Sequence, residues 1–322
     1  MTDEARTGVR LAFDALGGIV DVVRDVHRAI AGPGLAAVAA PVFGAVRVGL
    51  AAGGAVAEAV ARGSLPVGLT GVVNGAVGDR LRTDYPALAT PLRATVDGPL
   101  DGHVVVFLHG LVHTEQRWGH RDVAEEVGAT AVHVRYNSGL STTDNGRDLA
   151  VHLETLVTGN PITRLSLVGH SMGGLVARAA VHEALANGQR WLSPLREVIC
   201  LGSPHLGSPV ERAAATAVRL LNAFPESAPF GELVDRRSTG IKSLAHGTAY
   251  SAAPHVRQHF LAATVATNPT STTGRLLGDL LVSTTSATAP AAEADRHVLG
   301  GLGHSALLHH PEVRAKLVEF LA

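Results

Sequence analysis

One cysteine, two tryptophans, two methionines and three tyrosines are all that 322 residues hold of those types, and only 17% of the chain is charged. A lone cysteine cannot close an internal disulfide. Cys200 stands in the apolar run Val198-Ile199-Cys200-Leu201, so it reads as a buried strand residue and not as a reactive thiol. An excess of charge of either sign is also missing: the formal net charge is −1, which gives no electrostatic reason to expect nucleic acid as a partner. The 17 histidines form no HExxH and no paired Cys/His spacing, and no Walker-type phosphate loop occurs, so neither a metal nor any other cofactor is expected. Residues 35–60 are rich in Ala, Val and Gly, yet Arg47, Glu58 and Pro41 interrupt them before an apolar span of about 20 residues can form. Packed helices are the preferred reading there, with membrane-surface attachment second. The acidic start Met1-Thr2-Asp3-Glu4 lacks the basic region of a secretion signal, and a cytoplasmic location is the expectation.

What is present is 46% hydrophobic residues in a patterned order. The first 95 residues read as a helical extension: Leu16, Ile19, Val23, Val26 and Ile30 recur at helical spacing, and Gly32-Pro33-Gly34 stops that helix. From residue 96 to the end the grammar is α/β. Val104-Val105-Val106-Phe107-Leu108 is a continuous apolar run, as a strand buried on both faces requires. Further strands are expected at residues 130–136, 165–168, 197–201, 259–266 and 296–300, with helices near 145–156 and 305–321. Strands alternating with helices over short connections predict a doubly wound, mostly parallel sheet. Residues 207–257 break the pattern with an Ala-rich stretch too long for a connection, and a helical lid insertion is expected there.

Gly169-His170-Ser171-Met172-Gly173 follows the run Leu165-Ser166-Leu167-Val168 and precedes a helical stretch. That context makes it a nucleophile elbow, a turn so tight that the serine is strained and its hydroxyl exposed above the sheet edge. A serine hydroxyl is a weak nucleophile at neutral pH. It needs a histidine to take its proton and an acid to hold that ring, which on such a sheet follow in the order acid, then histidine. His304, on the small-residue loop Gly301-Leu302-Gly303-His304 past the last strand, is the expected base, with His309 and His310 as rivals. Asp279, in Gly278-Asp279-Leu280-Leu281-Val282, is the expected acid, with Asp295 and Glu293 as alternatives at the wrong end of the sheet. The developing oxyanion needs donors, and these are expected to be the backbone N–H groups of Met172 and Leu111. His109, beside Gly110, is expected to brace that loop.

His109-Gly110-Leu111 with Trp118, the Gly-His-Ser-Met-Gly-Gly-Leu elbow, Leu201-Gly202-Ser203-Pro204-His205-Leu206-Gly207, Gly278-Asp279 and Gly303-His304 together resemble bacterial serine esterases and lipases of the α/β-hydrolase superfamily. The early Asn74-Gly75-Ala76-Val77-Gly78-Asp79-Arg80-Leu81 is similar to a branch with an N-terminal helical extension. The resemblance implies hydrolysis of a small or lipid-like carboxylic ester through an acyl-enzyme on Ser171, with Asp279 and His304. Transfer of the acyl group to another acceptor, and a non-catalytic membrane-peripheral protein, are the alternatives. One departure concerns the acid loop, which usually reads Asp-Gly; here Leu280 follows Asp279.

Overall fold

The computed structural model describes residues 67–84, 86, 89–208, 238–245, 250–289 and 295–322. The expected helices of residues 1–66 and most of the expected lid, residues 209–237 and 246–249, lie outside the described residues. In chain order the main elements are α1 (Val67–Asp84), β1 (Arg93–Asp97), β2 (Gly102–Leu108), α2 (Val123–Glu126), β3 (Thr130–Arg135), α3 (Thr142–Thr158), β4 (Ile162–His170), α4 (Met172–Asn187), β5 (Leu195–Leu201), α5 (Thr239–Ser243), β6 (Arg257–Thr264), α6 (Thr272–Leu277), α7 (Thr284–Thr288), β7 (Arg296–Gly300) and α8 (Pro311–Leu321).

Seven strands form one sheet in the order β1-β3-β2-β4-β5-β6-β7. All neighbours pair in parallel except β1, which runs antiparallel to β3. The central parallel strands β2, β3, β4 and β5 are buried on both faces, and side-chain alternation sends their residues into two cores. Val104, Val106, Leu108, Leu165 and Leu167 face one layer, where Leu149 and Leu153 of α3 and Leu175, Val176 and Ala180 of α4 cover them. Val105, Phe107, Val168, Ile199 and Leu201 face the other, covered by Trp118, Val123 and the Val313, Leu317 and Phe320 side of α8.

Two elements differ from the expectation. β1 begins inside the stretch read as purely helical; it is an edge strand with alternating exposure, and Arg93, Thr95 and Asp97 on its outward face leave no apolar run to detect. The closing segment is not one helix: a 3₁₀ turn at His304–Leu308 gives way to α8, whose Pro311 stands at a helix start, where its missing N–H costs nothing. Because the sheet is parallel, the loops that follow β2, β4, β5, β6 and β7 all leave from one edge. They bring His109, Ser171, Gly202, Asp279 and His304 to the same end.

Candidate active site

Ser171 is the hinge between β4 and α4, with φ 54° and ψ −122°, a conformation that side-chain-bearing residues rarely adopt. Its N–H donates to the Leu201 carbonyl at 2.8 Å, which ties the turn to β5. The bend is so tight that a Cβ at Gly169 would lie 2.3 Å from the Gly174 nitrogen, and one at Gly173 would lie 2.3 Å from the Leu108 carbonyl oxygen. Glycine is therefore required at both positions by close approach. Ser171 itself is half-buried, and among the described residues its hydroxyl makes no hydrogen bond.

Asp279 and His304, 25 residues apart in sequence, meet in space: the distance from His304 Nδ1 to Asp279 Oδ2 is 2.6 Å. Both side chains are buried, and the second carboxylate oxygen accepts from the N–H groups of Leu281 (3.0 Å) and Val282 (2.8 Å). The His304 N–H donates to the Asp279 carbonyl at 3.1 Å. A ring that gives its Nδ1–H to the carboxylate keeps a lone pair on Nε2. This pair packs against the serine turn through His170, whose ring centroid lies 4.7 Å from that of His304 and whose Nε2 donates to the His304 carbonyl at 3.2 Å. Burial, with the neighbouring His304 and His113 rings, holds the His170 pKa well below its ordinary value, so it acts there as a neutral donor. Gly202, with φ 59°, lies under the pair; a Cβ there would meet Leu307 Cδ1 at 2.6 Å and Asp279 Oδ2 at 3.2 Å.

The alternatives fall elsewhere. His310 caps α8, its Nδ1 accepting from the Glu312 N–H at 3.3 Å, and His309 is exposed. Asp295 borders the start of β7, the strand end remote from Ser171, and Glu293 lies outside the described residues.

The loop after β2 closes the other side. A Cβ at Gly110 would come within 3.2 Å of Ser171 Cβ, so this backbone lies directly against the serine. His109 is buried with both ring nitrogens used: Nδ1–H donates to the Gly110 carbonyl (2.8 Å) and Nε2 accepts from the Tyr136 N–H (3.3 Å). The Tyr136 hydroxyl donates to the His109 carbonyl, and the two rings stack at 4.2 Å. Burial pushes the His109 pKa down to about 4, as suits a neutral brace. His113 is likewise pushed down to about 4, by burial and then by His109, Arg117 and His304. The N–H of Met172, in the first turn of α4, has no intrahelical partner, and among the described residues neither it nor the Leu111 N–H is otherwise engaged.

One buried charge carries no motif. Arg178, read from sequence only as part of a helix, is buried: Nε donates to Gln258 Oε1, Nη1 to His205 Nδ1 and Nη2 to the Tyr250 carbonyl, each at 3.1 Å. An arginine inside the apolar stretch after the elbow was the available signal. Leu280 adopts φ 80°, a left-handed conformation that glycine accepts freely and in which leucine bears strain. Cys200 is buried and its thiol is pushed up to about 12 by burial, which leaves it inert. Among the described residues no cluster of three His, Cys, Asp or Glu side chains is arranged to hold a metal, and no helix is long and apolar enough to cross a membrane.

A strained serine at a strand-to-helix turn, under a mostly parallel sheet edge that also carries an Asp–His pair, belongs to the α/β-hydrolase fold. The chain is a member of the PGAP1-like alpha/beta domain family, whose model matches residues 99–272, over half of its length. Among solved structures it is similar to Bacillus licheniformis lipase BlEst2 in its propeptide form, at 18% identity and a TM-score of 0.50 over 70% of this chain. That match covers 53% of the lipase chain, so the present chain spans about half the length of that protein; for the mature form the figures are 18%, 0.49, 72% and 99%. A thermophilic esterase from Thermogutta terrifontis matches at 18% identity and TM-score 0.45, over 71% of this chain and 92% of its own. At such identity the likeness concerns the fold.

Proposed function

We propose that this protein is a serine hydrolase that cleaves uncharged carboxylic esters through an acyl-enzyme intermediate. The reading is supported by a strained Ser171 whose hydroxyl makes no hydrogen bond among the described residues and by a buried Asp279–His304 pair that touches the serine turn through His170, the residue before Ser171. His304 Nε2 takes the Ser171 proton as Oγ attacks the ester carbonyl. Asp279 fixes the Nδ1–H tautomer and stabilises the imidazolium that forms. The N–H groups of Leu111 and Met172 receive the oxyanion. The alkoxide leaves with the proton from His304, and water, activated by the same ring, releases the acid and restores Ser171. The half-buried Leu111, next to the Gly110 backbone that lies against half-buried Ser171, suits an apolar acyl group. In this reading residues 96–322 are the catalytic unit, residues 1–95 an extension and residues 207–257 the insertion that sets acyl-chain preference. An ester panel of increasing chain length, run on wild type beside Ser171→Ala, tests it: turnover should vanish in the variant while its circular dichroism is unchanged. Retained turnover would refute the reading.

A further inference from the structure

Val112 has φ 58°, in the left-handed region where a β-branched residue is an outlier. Such a turn persists only where its surroundings fix it. Two groups do so. Buried Ser138 accepts the Val112 N–H on its hydroxyl at 3.2 Å, while the His113 N–H closes the turn on the Gly110 carbonyl at 3.3 Å. From the other side α1 lies directly on the turn. A Cβ at Gly75 would sit 2.9 Å from both the nitrogen and Cα of Val112, and one at Gly71 would sit 2.7 Å from the carbonyl oxygens of Val112 and His113. The helix is itself anchored to the neighbouring segments: Ser238 Oγ donates to the Gly75 carbonyl (2.6 Å), Asn137 Nδ2 to the Gly78 carbonyl (2.9 Å), and the N–H and hydroxyl of Thr239 to Asp79 Oδ2 (2.8 and 2.7 Å).

Leu111 precedes Val112, and Gly110 lies against Ser171. We propose that α1 and Ser138 are positioning groups that clamp the Gly110-Leu111-Val112-His113 turn from two sides, holding Val112 left-handed and so fixing the Leu111 N–H beside Ser171. Neither touches substrate. The catalytic consequence rests on the ester-hydrolase reading; the clamping does not.

The test uses the full chain with Gly75→Ala, which places a methyl group on the Val112 backbone, and Ser138→Ala, which deletes the acceptor. Hydrogen exchange of peptides spanning residues 109–114 should speed up by about tenfold or more in both variants, while peptides from β5 keep their wild-type rates. With p-nitrophenyl butyrate, kcat should fall by about 10²-fold with KM nearly unchanged, the pattern of a lost transition-state donor. Val112→Gly, which accepts the turn without strain, should restore kcat by about tenfold in the Ser138→Ala background. Wild-type exchange at the turn in both folded variants would overturn the clamp, whatever the activity; should Gly75→Ala fail to fold, Ser138→Ala decides alone. Faster exchange with unchanged kcat would overturn its catalytic role. Absence of wild-type turnover would instead count against the hydrolase reading, and the exchange rates would still decide the clamp.

Discussion

Two serines stand on or just beyond the same strand: Ser166 is bonded to a histidine and an acid, and Ser171 lies on the turn beside which an Asp–His pair packs. Ser166 lies within β4, fully buried; its hydroxyl donates to Glu197 Oε2 at 2.8 Å and stands 3.0 Å from His103 Nε2. Glu197 Oε1 is in turn held by Arg164 (3.1 Å) and Arg257 (3.0 Å). With its proton committed to the carboxylate, Ser166 can only accept from His103, whose pKa burial and then Arg164 push down to about 4. In that network the histidine nitrogen that faces Ser166 carries the proton and cannot take another from the hydroxyl. At the other strand end the order is reversed. The acid bonds the histidine, and among the described residues neither the second nitrogen of that ring nor the hydroxyl of Ser171, on its strained turn, makes a hydrogen bond. The same residue types make a structural clamp in one place and a candidate reaction centre in the other. Hydrogen-bond direction and backbone conformation separate the two.

Substitutions should break this contrast in opposite senses. Ser171→Ala is expected to lower ester turnover by about 10⁴-fold or more with unchanged urea midpoint, whereas Ser166→Ala should keep turnover and lose about 1–3 kcal/mol of stability. Asp279→Asn should cost about 10⁴-fold in kcat through the wrong His304 tautomer. Its counterpart Glu197→Gln should leave kcat within about twofold and lower stability by about 1–3 kcal/mol, measured by urea unfolding. A smaller effect comes from pH. His103, His109 and His113 have folded pKa values near 4, below the ordinary 6.5, so the unfolded chain binds more protons between those values. Their contribution to stability is present above pH 6.5 and is lost as pH falls toward 4. Replacing His113 by Asn should flatten the dependence of unfolding free energy on pH across that window; an unaltered slope would contradict the shift. Smallest of all, Leu280→Gly should change stability by less than about 1 kcal/mol and leave kcat near wild type, because relief of the left-handed strain offsets the lost side-chain burial.

Much of the scaffold is legible in the chain because its signals are local. The buried parallel strands are unbroken apolar runs such as Val104 to Leu108, and the elbow is spelled by glycines whose absent Cβ atoms the turn requires. Chain order suffices to set Asp279 and His304 beside one another as candidates, and the structure puts them 2.6 Å apart. What is not legible depends on distant partners. β1 is recognisable only through its pairing with β3, since its outward residues are polar. The left-handed conformations of Val112 and Leu280 contradict their own side-chain preferences and exist because tertiary contacts impose them. Nothing near Ser166 announces Glu197, which stands 31 residues further on, and nothing in Gly71 or Gly75 announces the turn they rest on.

The central claim is that one hydroxyl in this chain is activated. Intact-mass and peptide analysis after treatment with a fluorophosphonate reads it directly: wild type should gain a single adduct on Ser171, lost in Ser171→Ala and strongly slowed in His304→Ala, with Ser166 unmodified. No adduct, or one on any other residue, would contradict the account.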